Sequence, residues 1–382
     1  MGSAALSRLS RLSIGLRGCA LGSLLLGCGD RGPASIGDAY PRDEQNSGIL
    51  AAIRPAVESA GVKVVTWSAN EGSLWSTIRL NTDQAKLFAD DPSVVAVVGH
   101  PGSRDALLGA VVYNARGVPN VVPNATSSRL AKSGPWTFML VPDDSVQGEF
   151  IANYALDSLN AQRISVLYLA DEYGIGLRDG VRAGLGRRGT RPADETMIPA
   201  EECFSTRSGI LYESIVRGAM RRTNPDVFVV TAGNVNGWCI ADYIHVANPD
   251  AWVVFSDGMD GARRLPAPPR GLPDRALRLV PSRIRGVEFW QPGTDSLNRA
   301  FVARVKQALH HSPDASQALQ YDAYMLLAAA VREAGPSRGA VRDWLESLGR
   351  TREPWLGVTG PIAFNRPRSE ILRMSGPNLT AQ

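Results

Sequence analysis

The sequence predicts an α/β fold in which mostly parallel sheets carry helices on both faces. Three observations lead there. From about residue 62 onward, short apolar runs alternate with amphipathic segments of helical length, and strands that are apolar throughout are buried on both faces. Four of those runs end in small polar residues, the composition of loops that lead into helix N-termini. Once the N-terminal segment is set aside, roughly 350 residues remain, more than one typical domain, which suggests two lobes.

In order, the strand "VKVVTW" (62–67) is followed by the helical "STIRLNTDQAKLFAD" (76–90). "VVAVVG" (94–99) leads to "SRDALLGAVVYNAR" (103–116), then to the strand "VPNVV" (118–122). "TFMLVP" (137–142) precedes the helix "SVQGEFIANYALDSLN" (145–160), and "RISVLYLA" (163–170) precedes "GLRDGVRAGLGRRG" (176–189). The strand "ETMIPAEE" (195–202), the helix "GILYESIVRGAMRRT" (209–223), the strand "PDVFVVTA" (225–232), a helix near 238–247 and the strand "AWVVFSDG" (251–258) continue the alternation. "RRLPAPPRGLPDRALRLVPSR" (263–283), dense in Pro and Arg, reads as an exposed connection. After it come the strand "IRGVEFWQ" (284–291), the helices "DSLNRAFVARVKQALHHS" and "SQALQYDAYMLLAAAVREAG", a helix near 338–349 and strand-like pieces around "GVTGPIAFN".

Residues 1–27 carry Arg8, Arg11 and Arg17, no acid, and end in the apolar "CALGSLLLG". That run falls short of the about 20 residues a spanning helix needs, so the segment reads as a signal peptide. Its end, "LLGC", resembles a bacterial lipobox, which implies lipid modification of Cys28 and a lipidated tether over 28–40. Acyl chains contribute about 0.8 kcal/mol per buried methylene, enough in number to hold a soluble body at a membrane. Removing the three signal arginines from 41 basic residues leaves 38 against 37 acids, and a near-neutral chain has no electrostatic basis for binding nucleic acid. Cys203 and Cys239 remain, a possible disulfide in an exported protein. No Cys or His cluster has metal-ligand spacing, and no cofactor is implied.

The four polar strand ends are "GHPGS" (99–103), "PNATSS" (123–128), "ADEYGIG" (170–176) and "SDGMDG" (256–261). In an open parallel sheet, ligands bind beyond the carboxyl ends of the strands. Loops of this kind offer free N–H groups and hydroxyls, which suit a carboxylate. The competing reading is helix capping, with Ser103 as a cap of its own helix.

The order and spacing of "DDPSVVAVVGHPGSRDALLGAVVYNARGVPNVVPNATSSRL" (90–130), "FMLVPDDSVQGEFIANYAL", "ISVLYLADEYGIGLRDGVRAGL", "NPDVFVVTAG", "YDAYMLLAAAVREAG" and "GVTGPIAF" resemble a type I periplasmic binding protein. The match is to the branched-chain amino-acid-binding (Leu/Ile/Val-binding) family of ABC-transporter substrate-binding lipoproteins, over about residues 48–366. The resemblance implies two lobes, 41–141 with 285–350 and 142–284 with 351–382, that close on a small amino-acid-like or carboxylate ligand. It implies that Ser103, Asn124, Ala125 and Thr126 hold the ligand carboxylate, that Tyr173 covers the ligand and that Asp257 pairs with its ammonium. The implied partners are the membrane subunits of an ABC permease and, through the anchor, the membrane facing the periplasm or cell exterior. No covalent chemistry is implied.

The chain departs from that pattern in two places. "SIGDAYPRDEQNSGILAAI" (35–53) is short and polar where the family has an apolar first strand, and "NVNGW" (234–238) replaces a second aromatic, with Trp238 either lining the cleft or packed in the core. The first change leaves the family's first-loop contacts around Tyr40 to Gln45 without a match, and the second points to a ligand other than a leucine-like amino acid. A ligand-sensing module of the same fold is the alternative function, and a hydrolase built on His100, Ser103 and Asp105 a third. "GIGLRDG" (174–180) resembles a dinucleotide fingerprint but displaces its last glycine by one residue.

Overall fold

The computed structural model describes residues 33–41, 44–67, 76–199, 206–232, 234–259 and 279–376. The signal segment, Cys28, Cys203 and most of the Pro- and Arg-rich connection lie outside the described residues. In chain order the first elements are β1 (Ser35–Asp38), α1 (Glu44–Glu58), β2 (Lys63–Thr66), α2 (Ser76–Asp90), β3 (Val94–Val98), α3 (Ser103–Arg116), β4 (Asn120–Val122) and β5 (Thr137–Met139). Then come α4 (Asp144–Asp157), β6 (Ile164–Leu169), α5 (Glu172–Arg187), β7 (Asp194–Ile198), α6 (Thr206–Thr223), β8 (Val227–Thr231), α7 (Asn234–Ala247) and β9 (Trp252–Phe255). The chain returns through β10 (Ile284–Glu288), α8 (Ser296–Leu309), α9 (Ala315–Ala334), α10 (Arg338–Ser347), the short β11 (Trp355–Gly357) and β12 (Gly360–Ile362), and β13 (Arg373–Ser375). Among the described residues no helix is long and apolar enough to cross a membrane.

The first sheet runs β2-β1-β3-β4-β5 and is parallel throughout. The second runs β13-β10-β9-β8-β6-β7 and is parallel except at its edge strand β13. Alternate residues of β8 show why these strands read as unbroken apolar runs. Val227 and Val229 join a core with Ile151 of α4 and Val181 and Leu185 of α5, whereas Phe228 and Val230 join Tyr212 and Val216 of α6 and Ile240 and Ile244 of α7. Both faces are covered, which favours apolar side chains at successive positions from Val227 to Val230.

Two sequence expectations are corrected here. A tether over 28–40 cannot extend past residue 34, because Ser35–Asp38 is strand β1, buried at all four positions between β2 and β3. The return segment was expected to join the first lobe from 285, but β10 pairs with β9 in the second sheet, so the crossing falls after residue 288. The helices that follow do return: α8 and α9 pack on α1, and α10 packs on β3.

The glycines of the fingerprint-like segment serve helix packing. A Cβ on Gly180 would lie 2.2 Å from the Asp144 carbonyl oxygen, and one on Gly148 would lie 2.3 Å from the Gly180 carbonyl carbon. Helices α4 and α5 therefore touch backbone to backbone. A second fixed point is Asp322 of α9, fully buried, whose carboxylate accepts the Val358 and Thr359 N–H groups (both 2.8 Å) and the Thr359 hydroxyl (2.6 Å). Arg368, also buried, donates to the carbonyls of Thr359 (2.9 Å) and Leu140 (2.7 Å), joining the β11–β12 hairpin to the end of the first sheet. Asp322 and the "GVTG" turn thus form one structure.

Gly148→Ala is expected to destabilise the protein by about 1–3 kcal/mol, because the added methyl meets backbone that can yield only by separating two helices. Urea unfolding of the two proteins measures this as a lower midpoint at unchanged slope.

Candidate functional site

The carboxyl ends of strands from both sheets border one cavity of about 530 Å³. The first sheet contributes Gly102 and Ser103 after β3 and Asn124 and Ala125 after β4. The second contributes Asp171, Glu172 and Tyr173 after β6, Asp257 and Gly258 after β9, and Val287–Phe289 at the end of β10. Asp314, Ser316 and Leu319, at the start of α9, complete the wall. A cavity of this size accommodates a small organic solute.

On the first-sheet side the competition over Ser103 is resolved by the glycine before it. Gly102 is the N-cap of α3, with φ 77° and no side-chain cap, and Ser103 is the first helical residue. Its hydroxyl is not used to cap the helix. The N–H groups of the first turn lack intrahelical acceptors and, with the helix dipole, favour an anion at this point. Asn124 Nδ2 donates to the Ser316 hydroxyl (2.6 Å) and to the Tyr40 hydroxyl (3.2 Å), while its Oδ1 is buried with no partner among the described residues. Ala125 is buried beside it.

On the second-sheet side the Tyr173 hydroxyl donates to Asp257 Oδ1 (2.8 Å), accepts the Gly258 N–H (2.7 Å) and lies 2.7 Å from the Ser256 hydroxyl. The Asp257 N–H donates to Gln147 Oε1 of α4 at 3.0 Å. The carboxylate is thereby fixed at both side chain and backbone. Burial pushes the Asp257 carboxyl up to about 6 and, together with that carboxylate, raises the Tyr173 hydroxyl well above its usual range. An ammonium entering the cavity would hold Asp257 in its charged form.

Thr126 sits one layer deeper. It is fully buried and does not border the cavity; its hydroxyl has no hydrogen-bond partner among the described residues. Its neighbour is the Asp144 carboxyl, also fully buried, neither oxygen of which has a partner at hydrogen-bond geometry among the described residues. Burial foremost, with the Asp257, Asp143 and Glu172 carboxylates, pushes Asp144 up to about 9. The Thr126 hydroxyl thus lies beside the Asp144 carboxyl and not in the cavity wall.

The hydrolase alternative finds no relay. His100 is fully buried, its Nε2 3.0 Å from the Tyr113 hydroxyl, and burial lowers it to about 4. Asp105 instead pairs with Arg104 at 3.3 Å. Trp238 is a core residue, edge-on to Phe255 at 5.5 Å. Cys239 is disulfide-bonded; Cys203 lies outside the described residues, as does Asp260, the other acid of its loop. Sequence reasoning missed Ser316 and Glu288. The Asp314-x-x-Gln317 capping box at the start of α9 was a readable signal near Ser316, whereas nothing local marks Glu288.

Residues 41–373 match the periplasmic binding protein family profile. The Leu/Ile/Val-binding protein homolog 1 of Brucella abortus is 28% identical over 179 residues, 47% of each chain. The chain spans less than half the length of the first curated relatives it matches. Among solved structures, LivJ of Streptococcus pneumoniae, a branched-chain amino acid transporter substrate-binding protein in complex with isoleucine, superposes with TM-score 0.68 at 19% identity, covering 91% of this chain and all of its own. A solute-binding protein of an ABC transporter from Rhodopseudomonas palustris, in complex with 3,4-dihydroxybenzoic acid, gives TM-score 0.68 at 14% identity, covering 90% and 92%. Both share the fold.

Asp144 carries a stability signature with a definite sign. Its folded value lies above the ordinary 3.8, so the folded protein holds the proton more tightly. That contribution is complete below about pH 4 and is lost as the pH rises toward 9, at up to about 1.4 kcal/mol per unit. Asp144→Asn removes the loss, and urea midpoints at pH 5 and pH 8 should show the variant gaining on the parent as pH rises.

Proposed function

The chain belongs to the periplasmic binding protein family, and from that premise we propose that it captures a small amino-acid-like or carboxylate solute between its two sheets and delivers it to an ABC permease. One observation supports this reading above the others. Anion-favouring groups of the first sheet, at Ser103 and the start of α3, and the Asp257–Tyr173 pair of the second border the same cavity. A zwitterion satisfies both sides at once. Neither side alone offers a complete set of partners, so occupancy favours an arrangement that brings the sheets together around the ligand.

In this reading Ser103 and the α3 N–H groups receive the carboxylate, with Asn124 and Ala125 as the adjoining wall. Asp257 receives the ammonium, and Tyr173 both orients that carboxylate and covers the ligand. Thr126 supports the loop from beneath. The protein works outside the cytoplasm as a lipoprotein: the signal segment directs export and the acylated Cys28 retains it at the membrane. The family's members are binding proteins, and the proposal requires no turnover.

Thermal-shift screening against amino acids, short amides and aromatic acids tests the capture. A true ligand at 100 times its dissociation constant adds about 2.7 kcal/mol of stability. Calorimetry with that ligand should then show Ser103→Ala and Asp257→Asn each weakening binding, Asp257→Asn by about 2–5 kcal/mol. Unchanged affinity in both would remove the site assignment. Cys28→Ser should move the protein from the membrane to the soluble fraction on cell fractionation.

A further inference from the structure

A second cavity, of about 450 Å³, opens beside the β11–β12 hairpin and shares no lining residue with the solute cavity. Among the described residues its wall carries four arginines, Arg350, Arg352, Arg366 and Arg368, against two acids, Glu353 and Glu370. Arg350, Arg366 and Arg368 also line an adjoining cavity of about 390 Å³. The two acids of that cavity are already engaged: Asp143 caps α4 and Glu346 pairs with Arg342 at 2.6 Å.

Two of the four arginines are committed elsewhere. Arg368 is buried and donates to the Pro361 (3.2 Å), Leu140 (2.7 Å) and Thr359 (2.9 Å) carbonyls, while the Asp322 and Glu370 carboxylates oppose the cost of its burial. Arg352 lies 3.5 Å from Glu333 and over the Trp344 ring. Arg350 and Arg366 are exposed, and their guanidiniums make no ion pair or hydrogen bond among the described residues. Backbone fixes the loops that bear them. The N–H groups of Arg350, Thr351 and Arg352 all donate to the Ser347 carbonyl at 3.0 Å, closing the turn after α10. Asn365 Nδ2 donates to the Gly349 carbonyl (2.6 Å), and a Cβ on Gly349 would lie 2.6 Å from the Ala363 Cβ. The turn that carries Arg350 is thus tied to the segment that carries Arg366, and both charges stand on one frame. A cleft lined mainly by one sign of charge concentrates the opposite sign.

We propose that this cavity binds a phosphate group, with Arg350 and Arg366 as its charged donors. Each guanidinium presents a fork of N–H groups that matches two oxygens of one anion. A phosphate monoester, with three terminal oxygens and up to two charges, can engage both forks, whereas a single carboxylate matches one. A free phosphate ester and a lipid headgroup carry the same group. The site is separate from solute capture, since it uses other residues and another class of ligand.

Calorimetry with inorganic phosphate and glycerol 3-phosphate, and sedimentation with phosphatidylcholine vesicles containing or lacking phosphatidic acid, test it. Both use the Cys28→Ser protein, so that no acyl chain contributes. Binding in solution assigns a free ester; sedimentation with the phosphatidic acid vesicles alone, without binding in solution, assigns a headgroup. In either case Arg350→Gln with Arg366→Gln should weaken binding at least about tenfold. The melting temperature of the unliganded variant is the folding control, and if the double variant melts lower, Arg366→Gln alone is measured in its place. Absence of binding in both arms, or binding that a folded variant retains in full, overturns the proposal and leaves solute capture untouched.

Discussion

Parallel strand pairing is the constraint on which the cavity depends. In a parallel ladder all strands share one direction, so β3 and β4 of one sheet and β6, β9 and β10 of the other each present their ends at a common edge. The chain must leave that edge through a turn, and the turn residues become the lining. Gly102 shows how closely backbone and chemistry are joined there. Its φ of 77° is a conformation that residues with a Cβ rarely adopt. Because it takes the N-cap position, the next residue, Ser103, enters the helix with its hydroxyl uncommitted to capping.

The second sheet holds the Asp257 carboxylate in place with hydrogen bonds. Among the described residues no arginine or lysine helps set the Asp257 acidity; burial dominates, and hydrogen bonds from the surroundings oppose it. Tyr173 supplies one of these, and Gly258 makes the close approach possible, since a Cβ there would lie 2.8 Å from the Tyr173 oxygen. The aromatic beside a Gly turn is thus neither a simple lid nor simple packing. It is part of the apparatus that positions an acid.

Much of this architecture was legible because burial on both faces writes continuous apolar runs into β3, β6, β8 and β9. What escaped reading has a physical cause in each case. Strand β1 is "SIGD", too short and polar to stand out, and its place between β2 and β3 comes from pairing, not from its own hydrophobicity. Its Gly37 lies against the Phe88 ring, 3.0 Å from where a Cβ would stand, so the small residue that weakened the strand signal is the one the packing requires. Tyr40 and Ser316 meet Asn124 from 84 and 192 residues away, a proximity no local pattern encodes. Thr126 was readable as a polar strand tip but not as a residue facing inward, because one step along a loop reverses which side a hydroxyl faces.

Helix α4 is where these pieces become a single mechanism. The Asp144 N–H donates to the Thr126 carbonyl (2.7 Å), in the loop after β4, and one turn later Gln147 accepts the Asp257 N–H, in the loop after β9. The first turn of one helix therefore touches the loops on both sides of the cavity, while its Gly148 lets it lie directly on α5. Arg368 fixes the chain just ahead of it by holding the Leu140 carbonyl. The crossing from β5 to α4 is thus held by Arg368 on one side and by the Thr126 and Gln147 contacts on the other. Asp144 stands at that point as a buried acid whose proton spares it repulsion from Asp257.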